Sequence, residues 1–139
     1  MPKPYRAPFW MRERHLQTIL PAVWMCLPGV EYRRQQWETP DSDFIELDWL
    51  AGAINKPLVV LFHGLEGNSR SHYSLRLMSA LQHQNWRGVV VHFRGCGGTP
   101  NRLPRGYYCG DSAEIDWILR RLRATQTGEI HAGRYFAGR

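Results

Sequence analysis

An apolar run that stops at a His-Gly pair is the feature that most constrains how this chain can fold. Leu58 to Phe62 reads LVVLF, with no polar alternation, which is typical of a strand covered on both faces in a parallel sheet. Gly64 and Gly67 follow in a polar loop, so the backbone there can approach a ligand closely. Ligands of α/β proteins bind outside the carboxyl ends of parallel strands. We therefore expect any chemistry to lie in this loop.

The next segments predict a second parallel strand. Within residues 71–84 the side chains of Tyr73, Leu77 and Leu81 share one apolar helical face, and residues 88–93 form another apolar run. Strand, helix and strand in this order make a right-handed crossover. A long glycine-rich loop over residues 94–110 follows, and loops of this length often have a function. A further helix is predicted over residues 111–122.

The segments before the apolar run predict an antiparallel hairpin at one edge of the sheet. Residues 31–38 and 43–51 are strand-like and are joined by a turn at residues 40–42. Side chains alternate along the second strand, so we expect one of its sides to face water. That side holds Phe44, Glu46 and Asp48, opposite Ile45, Leu47 and Trp49.

Four stretches carry a resemblance to a known family. They are LVVLFHGLEGNS at residues 58–69, GVVVHFRGCGGTPNR at 88–102, HLQT at 15–18 and the helix that begins at Ser112. Together they resemble the bacterial YheT-type branch of the α/β-hydrolase superfamily, over roughly residues 8–124. The resemblance implies an α/β fold: the N-terminal portion of an α/β-hydrolase, with an antiparallel edge hairpin followed by parallel strands and crossover helices. We expect this portion to be an incomplete fold.

The same resemblance implies a function. Members are described as carboxylic ester hydrolases with a serine, an acid and a histidine in that chain order, the serine lying in a Gly-x-Ser-x-Gly elbow after the next strand. No such motif occurs in the 139 residues. We therefore expect no catalytic residue within the chain, the triad falling after residue 139, and an inactive fragment of an enzyme that acts on a small ester. The alternatives are a non-catalytic remnant or interaction module, or an acyltransferase of the same fold.

His63, Gly64 and Leu65 resemble the oxyanion-hole motif of this superfamily. By that match Leu65 supplies one backbone N–H to the oxyanion, and Gly64 permits the close approach. His63, Glu66 and Arg94 are expected to shape the surrounding pocket.

The end of the chain departs from the family pattern. The family has an apolar strand here that leads into the serine elbow, but residues 125–139 contain no such run. We therefore divide the chain into residues 1–124, the N-terminal part of the hydrolase domain, and residues 125–139, a divergent or frameshifted tail. Without the strand, the central strand at 58–62 would have an unpaired edge, and such edges promote aggregation.

Three histidines, His63, His72 and His92, are expected near the predicted crevice. The family's catalytic histidine follows the serine, and no carboxylate or cysteine lies at ligand spacing, so we expect structural roles for all three. The acidic residues of the last helix are interpreted as its cap and solvated face: Asp111, Glu114 and Asp116.

Composition limits the partners and cofactors. The net charge of +6 comes almost wholly from arginines, which are spread along the chain and so predict solvated surface and no nucleic-acid partner. The three cysteines form no C-x-x-C pair, and no spacing predicts a metal or another cofactor. Pro21 and Pro28 interrupt the apolar stretch at residues 19–30, so we expect no export signal, no membrane partner and a cytoplasmic location.

Overall fold

A computed structural model describes residues 29–64, 67–104 and 112–134. The predicted features at 15–18, Leu65, Glu66 and Asp111 lie outside these residues. The described elements, in chain order, are β1 (Arg33–Glu38), β2 (Phe44–Leu50), β3 (Leu58–Phe62), α1 (His72–His83), β4 (Arg87–His92), α2 (Ser112–Thr125) and β5 (Ile130–Arg134).

The strands form one mixed sheet in the order β1-β2-β4-β3-β5. β1 and β2 are an antiparallel hairpin at one edge, as predicted, and β2 runs antiparallel to β4. β3 is parallel to both β4 and β5. The α/β class and the central place of the LVVLF strand are therefore confirmed.

The two helices cover opposite faces of the sheet. Leu75, Met78 and Leu81 of α1 pack on one face, against Leu61 and Val90. Ile118 and Leu122 of α2 pack on the other, in a cluster that also contains these side chains: Trp37, Ile45, Leu47, Leu58, Val60, Phe62, Val89, Val91 and Phe93. Because strands β3 and β4 are buried between these layers, they are apolar on both faces.

The structure contradicts the prediction that the end of the chain, which has no apolar run, supplies no strand to the sheet. Ile130–Arg134 is a strand, β5, and it pairs in parallel with β3 from Leu58↔Ile130 to Phe62↔Arg134. Its three middle residues are exposed, and an edge strand of this kind needs no apolar run because its outer side faces solvent. The expectation that the central strand has an unpaired edge is therefore wrong.

The expectation that one side of β2 faces water is also wrong, because the charged residues on that side are buried. Glu46 is 4% exposed and Asp48 is 3% exposed. Both carboxylates accept hydrogen bonds from the neighbouring strands β1 and β4 and from two loops, and the donors are Arg34, Gln36, His92, Ser69 and Thr99. Alternation of polar side chains here reflects a buried polar network, in which each charge has partners.

Candidate active site

The loops that leave β3 and β4 run to opposite faces of the sheet. The loop after β3 leads to α1 on one face, and the loop after β4 leads to α2 on the other. Diverging connections of this kind open a crevice at the carboxyl ends of the strands, which is where open α/β sheets bind ligands. His63 and Gly64 directly follow β3, at this position.

His63 connects the carboxyl ends of the two strands. Its side chain is fully buried, and its Nε2 accepts the backbone N–H of Phe93 at 3.1 Å. Its Nδ1 lies 2.8 Å from the carbonyl oxygen of Gly64, and an oxygen that can only accept requires Nδ1 to carry the proton. Burial lowers the pKa of His63, in agreement with a neutral imidazole. The His63 imidazole therefore has a structural role, since both of its nitrogen atoms are engaged with backbone groups.

Gly64 is held on both sides of its backbone. Its carbonyl oxygen accepts the N–H of Gly67 at 3.0 Å as well as the His63 proton. Its own N–H donates to the hydroxyl of Tyr73 at 3.2 Å. The His-Gly loop, residues 63–67, is thus anchored at Gly64 by three hydrogen bonds.

Gly67 is required for this arrangement by close packing. A Cβ atom at this position would overlap the Tyr73 hydroxyl, and it would also lie 3.1 Å from the Gly64 carbonyl oxygen. Only glycine leaves room for the tyrosine to reach the loop.

The segment after the His-Gly loop is fixed by the start of α1. The N–H of Asn68 donates to the Ser71 hydroxyl at 3.0 Å, and the Ser74 hydroxyl donates to the Asn68 carbonyl at 2.9 Å. The Asn68 side chain accepts the N–H of Arg70 at 2.8 Å, an Asx turn. Residues 68–71 are therefore fixed against the start of α1 by short polar side chains.

A buried carboxylate secures the same connection to the hairpin. Asp48 accepts two hydrogen bonds from Arg34, each of 2.8 Å, one from the Ser69 hydroxyl and one from His92 Nε2 at 2.9 Å. Burial alone would raise the pKa of Asp48, but these donors hold it well below its usual range. We call these four residues the Asp48 cluster.

The Asp48 cluster contains a serine, an acid and a histidine, but it is not a catalytic triad. In a triad the serine donates to the histidine, whereas the Ser69 hydroxyl donates to Asp48. Ser69 is also 2% exposed, so it has no access to a substrate. The cluster is a structural element that ties β2, β4 and the start of α1 together.

Arg94 was expected to shape the pocket, and the structure places it in ion pairs. Its side chain is 5% exposed and contacts Asp41 at 2.8 Å, Asp43 at 3.2 Å and Glu114 at 2.7 Å. Burial would lower the pKa of Arg94, but Asp41 and Glu114 raise it, and the hydrogen bond from Arg94 lowers the pKa of Asp41 to about 2. Arg94 also lines a cleft of about 210 Å³ together with Trp117.

These ion pairs correct the expectation for Glu114. Its side chain is only 8% exposed and binds Arg94, so it does not belong to the solvated face of α2. Asp116 does, because it is 57% exposed in an ion pair with Arg120.

The structure thus brings together only part of the predicted site. His63 and Gly64 lie directly after β3 at the carboxyl end of the sheet, whereas the exposed His72 packs against the Tyr73 ring. Two important residues were missed: Asp48, assigned to a wet face, and Tyr73, assigned to the apolar face of α1. A tyrosine in the first turn of a helix after a glycine loop is a signal that could have indicated the second.

The described residues contain another cleft, but they hold neither a metal-binding cluster nor a helix that could span a membrane. A cleft of about 510 Å³ lies by the opposite end of β4 and is lined by Trp49, Arg87 and Gln126, among others. Within residues 29–64, 67–104 and 112–134, no group of three or more His, Cys, Asp or Glu is arranged to hold a metal ion. Neither α1 nor α2 is long and apolar enough to cross a bilayer.

The sheet order and the helices on opposite faces, with a glycine loop after the central strand, are those of an α/β-hydrolase fold. Comparison with known proteins agrees with this class. The family profile described as "alpha/beta hydrolase fold" matches residues 57–130, and the chain belongs to this family. It is similar to the Escherichia coli (strain K12) protein named "Putative esterase YheT", with 45% identity over 112 residues, 78% of this chain and 33% of that protein.

More distant relatives share the same region. The mouse protein named "Phospholipase ABHD3" is 27% identical over 132 residues, which are 89% of this chain and 32% of that protein. Among solved structures, the Pyrococcus furiosus esterase Pf2001 superposes with a TM-score of 0.59 and 18% identity, over 76% of this chain and 42% of that one; this likeness concerns the fold alone. The chain spans about a third of the length of the two named sequence relatives.

Proposed function

We propose that this chain forms the oxyanion side of a serine-dependent hydrolase of small carboxylic esters. In this proposal the N–H of Leu65 is the first oxyanion donor, Gly64 permits the substrate's approach, and His63, Glu66 and Arg94 shape the pocket. The serine, acid and histidine are not among the 139 residues, because no Gly-x-Ser-x-Gly motif occurs in them. The chain alone is then inactive.

The orientation of the Gly64 carbonyl is the observation that supports this proposal most. That carbonyl accepts two hydrogen bonds from within the loop, from His63 and from Gly67. In a trans peptide the N–H points opposite to the C=O. The proposal assigns the N–H of this same peptide, that of Leu65, to the oxyanion.

A preorganised N–H is what ester hydrolysis requires. When a serine attacks the ester carbonyl, negative charge develops on the carbonyl oxygen, and a fixed donor stabilises it without reorganisation. Loss of one such donor costs about 2.7–4 kcal/mol in enzymes of this kind. The three hydrogen bonds on the Gly64 backbone supply this fixed geometry. The later steps of the reaction depend on the nucleophile.

The names of the relatives support an ester as the substrate class. The E. coli relative is named as an esterase and the mouse relative as a phospholipase, and both names refer to the cleavage of ester bonds. Hydrolysis and acyl transfer share the oxyanion step and differ in whether water or an alcohol accepts the acyl group. The proposal takes water as the acceptor.

A chimera tests the proposal. Residues 29–130 of this chain replace the matching segment of the E. coli relative, which supplies the rest of the fold. We expect both the parent and the chimera to hydrolyse p-nitrophenyl butyrate and to react with a fluorophosphonate probe, whereas the 139-residue chain does neither. Probe labelling of a serine in the 139-residue chain, or a folded but inactive chimera beside an active parent, would contradict the proposal.

A further inference from the structure

We propose that Tyr73 is a positioning residue whose hydroxyl holds the backbone of Gly64 in the conformation that oxyanion binding requires, an inference that rests on the proposed function. Tyr73 is the second residue of α1, and its ring is half-buried. Its hydroxyl accepts the N–H of Gly64 at 3.2 Å across nine residues of chain. The tyrosine reaches the loop from the helix and not from the sheet.

The position of this hydrogen bond lets Tyr73 restrain the backbone dihedral angles of Gly64. Gly64 has two peptide neighbours: its N–H belongs to the peptide shared with His63, and its carbonyl belongs to the peptide shared with Leu65. The carbonyl is held by His63 Nδ1 and by the Gly67 N–H. With the N–H also held by Tyr73, neither dihedral angle of Gly64 is free to change. Glycine has the widest conformational freedom of any residue, so fixing its backbone excludes more conformations than it would at any other residue.

The packing of Gly67 is an independent sign that the hydroxyl is part of the loop. A Cβ atom at residue 67 would overlap the Tyr73 hydroxyl, whereas every other atom lies 3.1 Å away or more. The hydroxyl therefore fills the space that a side chain at 67 would occupy. Removal of that one oxygen leaves room for a methyl group, with contacts that are tight but possible.

The first test concerns the contact itself and is made on the 139-residue chain. Amide hydrogen exchange of Gly64 is followed by NMR in the wild type and in Tyr73→Phe. We expect the substitution to speed this exchange at least about 10-fold, since an N–H without an acceptor loses its protection. Tyr32→Phe is the matched control, because the Tyr32 hydroxyl donates to the Ser69 carbonyl nearby and does not contact Gly64. An unchanged Gly64 rate in Tyr73→Phe would overturn the inference.

The second test uses the overlap at Gly67. Gly67→Ala is made in the wild type and in the Tyr73→Phe background, and the thermal midpoint is measured for all four proteins. We expect Gly67→Ala to lower the midpoint strongly in the wild type and much less in the Tyr73→Phe background, which is coupling between neighbours. Equal losses in both backgrounds would show that the hydroxyl does not occupy the loop, and would overturn the inference.

The third test connects Tyr73 to the reaction. In the chimera, Tyr73→Phe is expected to lower kcat for p-nitrophenyl butyrate about 10-fold with little change in KM, because a mispositioned oxyanion donor acts in the transition state. Tyr32→Phe should change neither. Unchanged kcat in Tyr73→Phe would overturn the positioning role. If the unsubstituted chimera has no esterase activity, the proposed function fails, and the exchange rate and the midpoints still decide whether Tyr73 holds the loop.

Discussion

The Nε2 atom of His63 accepts the backbone N–H of Phe93 at 3.1 Å, and this hydrogen bond joins the ends of β3 and β4. The bond needs an unprotonated Nε2, while Nδ1 donates to Gly64. A protonated imidazole would present two donors and would repel the Phe93 N–H. The histidine that follows the LVVLF strand is therefore a neutral connector of the sheet, and its titration should affect stability.

We expect the free energy of unfolding to fall as the pH decreases below about 6.5. Burial lowers the pKa of His63 below the usual 6.5, so in that range the unfolded state binds a proton that the folded state does not. The contribution is fully present above the unfolded pKa and is lost below it, by at most about 1.4 kcal/mol per pH unit. Urea unfolding between about pH 8 and pH 5 measures this slope. His63→Gln keeps an acceptor for Phe93 without titrating, and an equally steep slope in that variant would show that His63 is not the cause.

Substitution of the buried carboxylate on β2 should be costly. Asp48→Asn removes the charge that pairs with Arg34 and leaves donors in the Asp48 cluster without an acceptor. We expect a loss of about 2–4 kcal/mol in the free energy of unfolding. Asp116→Asn is the matched control, since that ion pair with Arg120 is exposed and should contribute less than about 1 kcal/mol. Similar losses from the two variants would mean that the Asp48 cluster is not a buried network in solution.

Removal of β5 should abolish cooperative unfolding. A chain that ends at Gly128 leaves one edge of the apolar strand β3 unpaired, and such an edge aggregates. We expect a cooperative thermal transition for the 139-residue chain and none for the truncated one, by circular dichroism and light scattering.

Gly133→Ala is the control for the truncation. The residue is exposed within β5, and an added Cβ meets nothing within 4 Å, so alanine should raise stability by about 0.5–1 kcal/mol. Equal melting of the full and truncated chains would show that β5 does not cover β3.

Proline at residue 65 should remove the oxyanion donor. In the chimera, Leu65→Pro is expected to lower kcat by about 10² to 10³, because proline has no N–H. His72→Ala should cost far less, since His72 is exposed and packs beside the Tyr73 ring. Steady-state kinetics with p-nitrophenyl butyrate compare the two variants. Equal losses would mean that the roles assigned within the His-Gly loop are wrong.

Much of the fold followed from local patterns. β3 was predicted with its observed bounds, and β4 and α1 within one or two residues, because apolar periodicity reports directly on which faces a segment buries. The hairpin was also found, since its turn residues are specific. The position of His63 and Gly64 directly after β3 also followed, because they end the apolar run, while their role in a site stays a prediction.

The errors concern residues whose partners are distant in the chain. Glu46 and Asp48 were assigned to water, because a charged side chain in an alternating strand has no local sign of burial. Their donors come from residues up to 53 positions away. Tyr73 was counted as apolar for the same reason, since only its contact with Gly64 shows that the hydroxyl is used.

The amino-acid sequence by itself determined the apolar strands, the helices and the place of the His-Gly loop, because these depend on side-chain periodicity and on turn residues within a few positions. Only the tertiary structure decided that residues 130–134 form a strand. Their side chains carry no apolar pattern, and the strand forms because the open edge of β3 offers backbone donors and acceptors that need partners. The tertiary structure likewise decided that Asp48 is buried, since a carboxylate leaves water only where Arg34, Ser69 and His92 together replace its hydration.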